Sequence, residues 1–196
     1  MKISSFIQNL KPYVPGKSIE EVKREYGLKE IIKLASNENA IGANPKVIEA
    51  VKKAAGEIYR YPDGSYTHAK QIASEFYHVP PKNICFGNGS DELIDLVVRI
   101  FCEPNQDAIL VPQSSFVAYK VRGHVNRVEV TEVPLKDDFQ IDINKMAQTL
   151  SDKHRIVFLP NPNNPTGRHF SQKELEPLLQ KMSSGGIVWV WQKHNS

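Results

Sequence analysis

The chain has 196 residues, of which 40% are hydrophobic, 24% charged and 9% aromatic. This ordinary globular composition excludes collagen-like, coiled-coil and disordered chains, and the length suits a domain with a sizeable core. The net charge of +3 comes from 25 basic and 22 acidic residues that are interspersed, so nucleic-acid binding gets no electrostatic support.

No apolar run approaches the roughly 20 residues of a membrane helix, and the N-terminus lacks the apolar stretch of a signal peptide. The expectation is a soluble, cytoplasmic chain with no membrane partner. Cys85 and Cys102 lie outside any CxxC pair and are expected as reduced, buried thiols. The six histidines show no metal-ligand spacing, so no metal site is expected.

Residues 11–17 (KPYVPGK) read as an extended arm, punctuated by two prolines and a glycine. A short helix is expected from Ser18 to Tyr26, capped by Ser18 and stopped by Gly27. Asn44-Pro45 opens the next helix, in which Val47, Ile48, Val51, Ala54, Ala55 and Ile58 fall on one face. From Ala69 the pattern alternates. Helices are expected around Ala69–Phe76, Leu93–Phe101, Phe116–Arg122 (stopped by Gly123) and Ile143–Leu150. Strands are expected at Ile84–Phe86, Ala108–Val111, Arg127–Val133, Ile156–Leu159 and Ile187–Trp191. Ser171 and Glu174 have capping-box spacing for a last helix, which Pro177 should kink or delay. Strands alternating with helices imply a parallel sheet, whose ligand loops follow the carboxyl ends of its strands. Those loops follow Phe86, Val111 and Leu159.

Four segments could carry chemistry. Phe86-Gly-Asn-Gly-Ser-Asp-Glu92 is a glycine-rich turn opening a helix, where free backbone N–H groups suit a phosphate. The same residues fit a plain turn capped by Ser90. The turn is neither GxGxxG nor a Walker loop, which argues against nucleotides. Asn161-Pro-Asn-Asn-Pro-Thr-Gly167 is a proline-stiffened loop able to fix an amide side chain, or a simple turn. Phe116 could stack on a planar ring or fill a core. Tyr61, beside the Pro-Asp-Gly turn, could reach a phosphate or lie on the surface. No Gly-x-Ser-x-Gly elbow supports a hydrolase.

The order of these segments is more specific than any one of them. Leu10–Lys17, Asn37-Glu-Asn39, Tyr61–Gly64, Gly87–Glu92, Ser115–Tyr119 and Asn161–Gly167 follow one another as in histidinol-phosphate aminotransferases, which the chain resembles over about residues 5 to 188. The resemblance implies a fold-type-I, aspartate aminotransferase-like α/β fold: an incomplete, mostly parallel sheet flanked by helices. It divides the chain into residues 1–32, an arm with part of a small domain, and residues 33–196, part of a large domain that binds pyridoxal 5'-phosphate (PLP). It implies cofactor contacts from Ser90 and Asp91 to the phosphate, Phe116 to the pyridine ring, and Asn164 to the ring oxygen. Tyr61 would reach the cofactor phosphate of a neighbouring subunit in a homodimer, and Tyr13 would lie near substrate. The implied reaction moves an amino group between L-histidinol phosphate, a phosphate ester, and 2-oxoglutarate, giving imidazole-acetol phosphate and L-glutamate.

The family's next strand carries an Asp that pairs with the pyridine nitrogen, and a Schiff-base lysine follows further on. Here the strand reads Ile187-Val-Trp-Val-Trp191 and the sequence ends in Gln-Lys-His-Asn-Ser196. Lys193, in an unmatched tail, is expected as a solvated lysine. The resemblance thus implies a chain truncated before its catalytic lysine, with no catalytic residue of its own and no activity alone. Two alternatives stand beside this: a non-catalytic remnant that dimerises or binds phosphates, and a related PLP enzyme such as an aromatic aminotransferase or a threonine-phosphate decarboxylase.

Overall fold

The computed structural model describes residues 16–34, 38–182 and 188–192. Most of the expected arm, and Tyr13, lie outside these residues. The described residues fall into two compact units, divided between Cys85 and Phe86.

The first unit is helical. Helix α1 (Ile19–Tyr26) starts where Ser18 Oγ accepts the Glu21 N–H at 3.1 Å, and ends at Gly27. Helix α2 (Pro45–Ala54) starts where the Asn44 side chain accepts the Lys46 N–H at 2.9 Å. Helix α3 (Thr67–Tyr77) follows the Pro-Asp-Gly turn. There the Asp63 carboxylate accepts N–H bonds from Thr67 and Ser65, which hold it below the usual carboxylate range. The helical periodicity of α2 is present, but Val47, Ile48, Val51 and Ile58 are exposed, and none of the three helices has a buried residue.

The second unit alternates helices and strands. Helix α4 (Gly89–Phe101) leads to β1 (Ala108–Pro112), α5 (Ala118–Val125), β2 (Glu129–Val133), α6 (Ile143–Thr149), β3 (His154–Pro160), α7 (Gln172–Met182) and β4 (Val188–Gln192). The four strands are parallel in the order β2-β1-β3-β4. β1 is buried along its whole length and β3 at every position but Arg155. Their side chains alternate between two cores. Ile109, Val111, Ile156 and Phe158 meet Ile94, Val98 and Tyr119 from α4 and α5. Leu110, Val157 and Leu159 meet Met146, Leu175 and Leu178 from α6 and α7. The chain therefore places helices on both faces and leaves the strand ends for loops.

Four expectations need correction. Ile84–Phe86 is not one of the sheet's strands, although Ile84 is extended at φ −108°, ψ 127°. Extended geometry follows from local preference, whereas strand membership needs a ladder that local sequence does not specify. Cys85 is exposed, while Cys102 is buried as expected, its thiol pushed up to about 11 by desolvation; neither forms a disulfide. Helix α7 begins at Gln172, so Pro177 does not delay its start, which the Ser171–Glu174 capping box fixes: Glu174 Oε2 accepts the Ser171 N–H at 2.8 Å.

Gly123 does not stop α5. It lies buried inside the helix, where an added Cβ would come within 2.6 Å of Val130 Cγ2 and 2.7 Å of Ile109 Cδ1. Its bare backbone lets α5 settle onto β1 and β2. Gly123→Ala should gain about 1 kcal/mol of helix propensity but incur about 1–3 kcal/mol of overpacking, leaving a net loss. Ile109→Val removes one clashing methyl, so chemical denaturation of the double variant should show less loss than the two single losses summed.

His154, at the start of β3, is buried. Its Nδ1 accepts the Ser151 N–H at 3.0 Å, so its Nε2 carries the hydrogen toward Thr131 Oγ1 at 3.0 Å. Burial lowers its pKa below the ordinary value. The unfolded chain therefore binds this proton more readily, and stability rises with pH. The contribution is complete above the unfolded pKa of about 6.5 and is lost as pH falls below it. Melts from pH 8 to pH 5.5 should show this decline, and His154→Gln should flatten it.

Candidate functional site

α5 follows β1 and runs back along the sheet, and α4 runs parallel to it, with Asp91 facing Arg122 and Asp95 facing Asn126, so the N-terminus of α4 points toward the carboxyl side from which the loops after β1 and β3 emerge. The α4 turn is built on two glycines. A Cβ at Gly87 would meet the Leu93 side chain at 2.9 Å, and Gly89 has φ +73°. The Asn88 N–H donates to the Glu92 carboxylate, which closes the turn. Ser90 and Asp91 stand in the first helical turn, where N–H groups have no intrahelical acceptor.

Asp91 would oppose an anion here, but its carboxylate is held by the Arg122 guanidinium of α5 through Nε at 3.1 Å and a second contact from Nη2. That bond, with the attraction of the Asp91 charge, raises the Arg122 pKa. Asp95, one turn on, accepts from Asn126 Nδ2 at 2.7 Å. Two helices are thus tied along one seam, and the acid next to the turn is neutralised. Asn88, Asp91, Glu92, Asp95 and Arg122 line a cleft of 220 Å³.

The loop after β1 turns through Ser114 at φ 54°, with Ser115 Oγ donating to the Pro112 carbonyl at 2.7 Å. Phe116 follows. It is half-buried, edge-on to Tyr119 at 5.7 Å, and Tyr119 in turn stacks on Phe158 at 4.4 Å. Burial raises the Tyr119 phenol well above its usual range, so it stays neutral. Phe116 thus packs against the core cluster while remaining partly exposed.

The loop after β3 has cis peptide bonds at Asn161–Pro162 and Asn164–Pro165. Asn161 pins it from one side, accepting the Phe170 N–H at 3.1 Å and donating to the Phe170 carbonyl at 3.0 Å. Asn163 is buried; its Nδ2 donates to the Ser114 carbonyl at 3.3 Å and to Thr166 Oγ1 at 3.0 Å. Asn164 is half-buried beside it.

Of the residues singled out in the sequence, Ser90, Asp91, Phe116 and Asn164 come to the same side of one unit. Tyr61 belongs to the other unit and is 100% exposed. Two residues escaped sequence reasoning. Arg122 lies 31 positions from Asp91, with no local signal for the pairing. Asn163 was visible only as one amide of two in a proline-rich turn.

The class I and II aminotransferase family matches residues 29–190, and the chain belongs to that family. A histidinol-phosphate aminotransferase of Bdellovibrio bacteriovorus is 44% identical over 195 residues, covering 97% of this chain and 52% of the relative. One of Anaeromyxobacter sp. (strain Fw109-5) is 42% identical over 182 residues, covering 93% and 50%. The chain therefore spans about half the length of the curated relatives it matches. The crystal structure of histidinol-phosphate aminotransferase from Sinorhizobium meliloti in complex with pyridoxal-5'-phosphate superposes with a TM-score of 0.82 at 24% identity, over 97% of this chain and 50% of that one. An aminotransferase from Escherichia coli gives 0.80 at 20% identity, over 98% and 51%. At these identities the shared property is the fold, which is that of the fold-type-I aminotransferases.

The left-handed turn at Gly89 yields a direct test. Gly89→Ala should lower stability by about 1–2 kcal/mol, because Ala resists positive φ. Gly89→Asn, which tolerates that region, should lose less in the same urea titration.

Proposed function

We propose that these residues hold and orient PLP in an aminotransferase that exchanges an amino group between L-histidinol phosphate and 2-oxoglutarate. The proposal rests on the identity to relatives bearing that name. The observation that supports it is that a glycine-rich helix start, an aromatic anchored on Tyr119 and the Asn163–Asn164 loop belong to one unit and lie toward the carboxyl side of its sheet.

The residues present fit the cofactor. Gly89 turns the chain through φ +73° into the helix start that carries the Ser90 and Asp91 N–H groups, and Arg122 offsets the Asp91 charge. A phosphate would sit at those donors, with the Ser90 hydroxyl as a further partner. Phe116 would lie against the pyridine ring, and Asn164 would donate its amide hydrogen to the ring oxygen. Bound PLP supplies an electron sink for the substrate's α-carbon. The role of this chain's residues is to fix the ring's plane and its distance from the phosphate anchor. A planar aromatic held edge-on by Tyr119 resists tilting, and the prolines at 162 and 165 restrict the backbone that presents the Asn164 amide.

In the same reading, Tyr61 reaches the cofactor phosphate of a neighbouring subunit in a homodimer, and Tyr13 lies near substrate. Residues 1–32 serve as arm and small-domain portion, and residues 33–196 as the PLP-binding portion.

Equilibrium dialysis should show saturable PLP binding that inorganic phosphate competes away. Phe116→Ala and Asn164→Ala should each weaken it about tenfold, the size of one lost stacking or hydrogen-bond contact. Borohydride reduction should leave no stoichiometric adduct on a single lysine. Absence of saturable binding, or binding indifferent to both substitutions, would overturn the reading.

A further inference from the structure

Asn163 stands where the Phe116 loop meets the Asn164 loop, and its hydrogen bonds are unusual for a turn residue. It is 2% exposed. Its backbone N–H donates to the Arg168 carbonyl at 2.7 Å, and its carbonyl accepts the Gly167 N–H at 2.7 Å, which closes its own loop. Its side chain works outward: Nδ2 reaches the Ser114 carbonyl, 49 positions away, as well as Thr166 Oγ1. Oδ1 accepts no hydrogen bond among the described residues. A buried acceptor left in this state is unfavourable, so local turn chemistry alone does not account for an amide here. The donor half accounts for it, because it satisfies a carbonyl of the other loop.

The position of that bond gives it leverage. Ser114 lies two residues before Phe116, and Asn163 lies one residue before Asn164. The Phe116 loop is also held by the Gln113 N–H on the Val133 carbonyl of β2 at 2.7 Å, by Ser115 Oγ on the Pro112 carbonyl and by the ring's contact with Tyr119. The Asn164 loop is held by Asn161 on Phe170. Each set of contacts fixes its loop to the scaffold separately. Nδ2 of Asn163 is the side-chain donor that joins one loop to the other.

We propose that Asn163 is a positioning residue that locks these two loops together, so that the stacking ring and the ring-oxygen amide approach PLP as one body. The proposal rests on the PLP reading above. It assigns Asn163 no contact with cofactor or substrate.

The test pairs hydrogen exchange with cofactor binding. In Asn163→Ala, amide exchange should accelerate over residues 112–117 as well as over 161–168. PLP affinity should fall about tenfold, the value of one buried hydrogen bond. The pH midpoint of the bound cofactor's absorption should shift in the same direction as in an Asn164→Ala variant measured alongside. Thr166→Val, which keeps the Ser114 link, should leave exchange over 112–117 at the wild-type rate. Asn163→Ser serves if the alanine variant does not fold. Acceleration confined to 161–168 would overturn the proposal, as would a lowered melting temperature with an unmoved cofactor spectrum. If wild-type protein does not bind PLP, the functional reading fails, and the exchange pattern still decides whether Asn163 couples the loops.

Discussion

Side chains alternate across a strand, so a strand covered on both faces must be apolar at nearly every position. β1 (Ala-Ile-Leu-Val-Pro) and the core of β3 (Ile-Val-Phe-Leu) meet that demand, and the second unit is organised around them. With α4 and α5 on one face and α6 and α7 on the other, polar chemistry is driven to the strand ends. The loops there inherit a rigid base. Phe116 is backed by Tyr119 and Phe158, and the latter belongs to β3 itself. A side chain tied this way into the core moves little relative to the sheet.

Electrostatics at the α4 turn set a different condition. A helix N-terminus favours an anion, and Asp91 and Glu92 in the first turn would satisfy that preference by themselves. The structure redirects both. Glu92 folds back onto the Asn88 N–H, and Asp91 is drawn to Arg122 on the neighbouring helix. The Asp91–Arg122 pair is half-exposed, so it adds little to stability. Its effect is local: it offsets the negative charge of Asp91 beside the helix start.

Legibility in the sequence followed the range of the interaction concerned. Capping at Ser18, Asn44 and Ser171, and the apolar runs of β1 and β3, are local properties, and the expected elements formed there. Gly123 was misread because a glycine that ends a helix and a glycine that lets a helix approach a sheet look alike in one dimension. The difference lies in Ile109 and Val130, which come from two strands. Ile84–Phe86 has strand-like composition, yet pairing is a property of two segments. The apolar periodicity of α2 predicted a helix that formed over Pro45–Ala54, but none of its residues is buried, because periodicity does not say what covers a face. The Asp91–Arg122 and Asn163–Ser114 bonds span 31 and 49 positions and had no signature in either partner.

The candidate site also shows why its motif is legible as a pattern of glycines and prolines, and less as one of ligand-contacting side chains. Backbone donors for a phosphate are common to every residue type, so binding through them places its constraint on the residues that shape the backbone. Gly87 has no room for a Cβ, and Gly89 needs positive φ. The prolines at 162 and 165 restrict the backbone between which the Asn163 and Asn164 amides are presented. Side-chain identity is demanding at Asn163, a buried amide directed at another loop. That demand required the fold to be seen, because its partner is a main-chain carbonyl, a group that every residue carries.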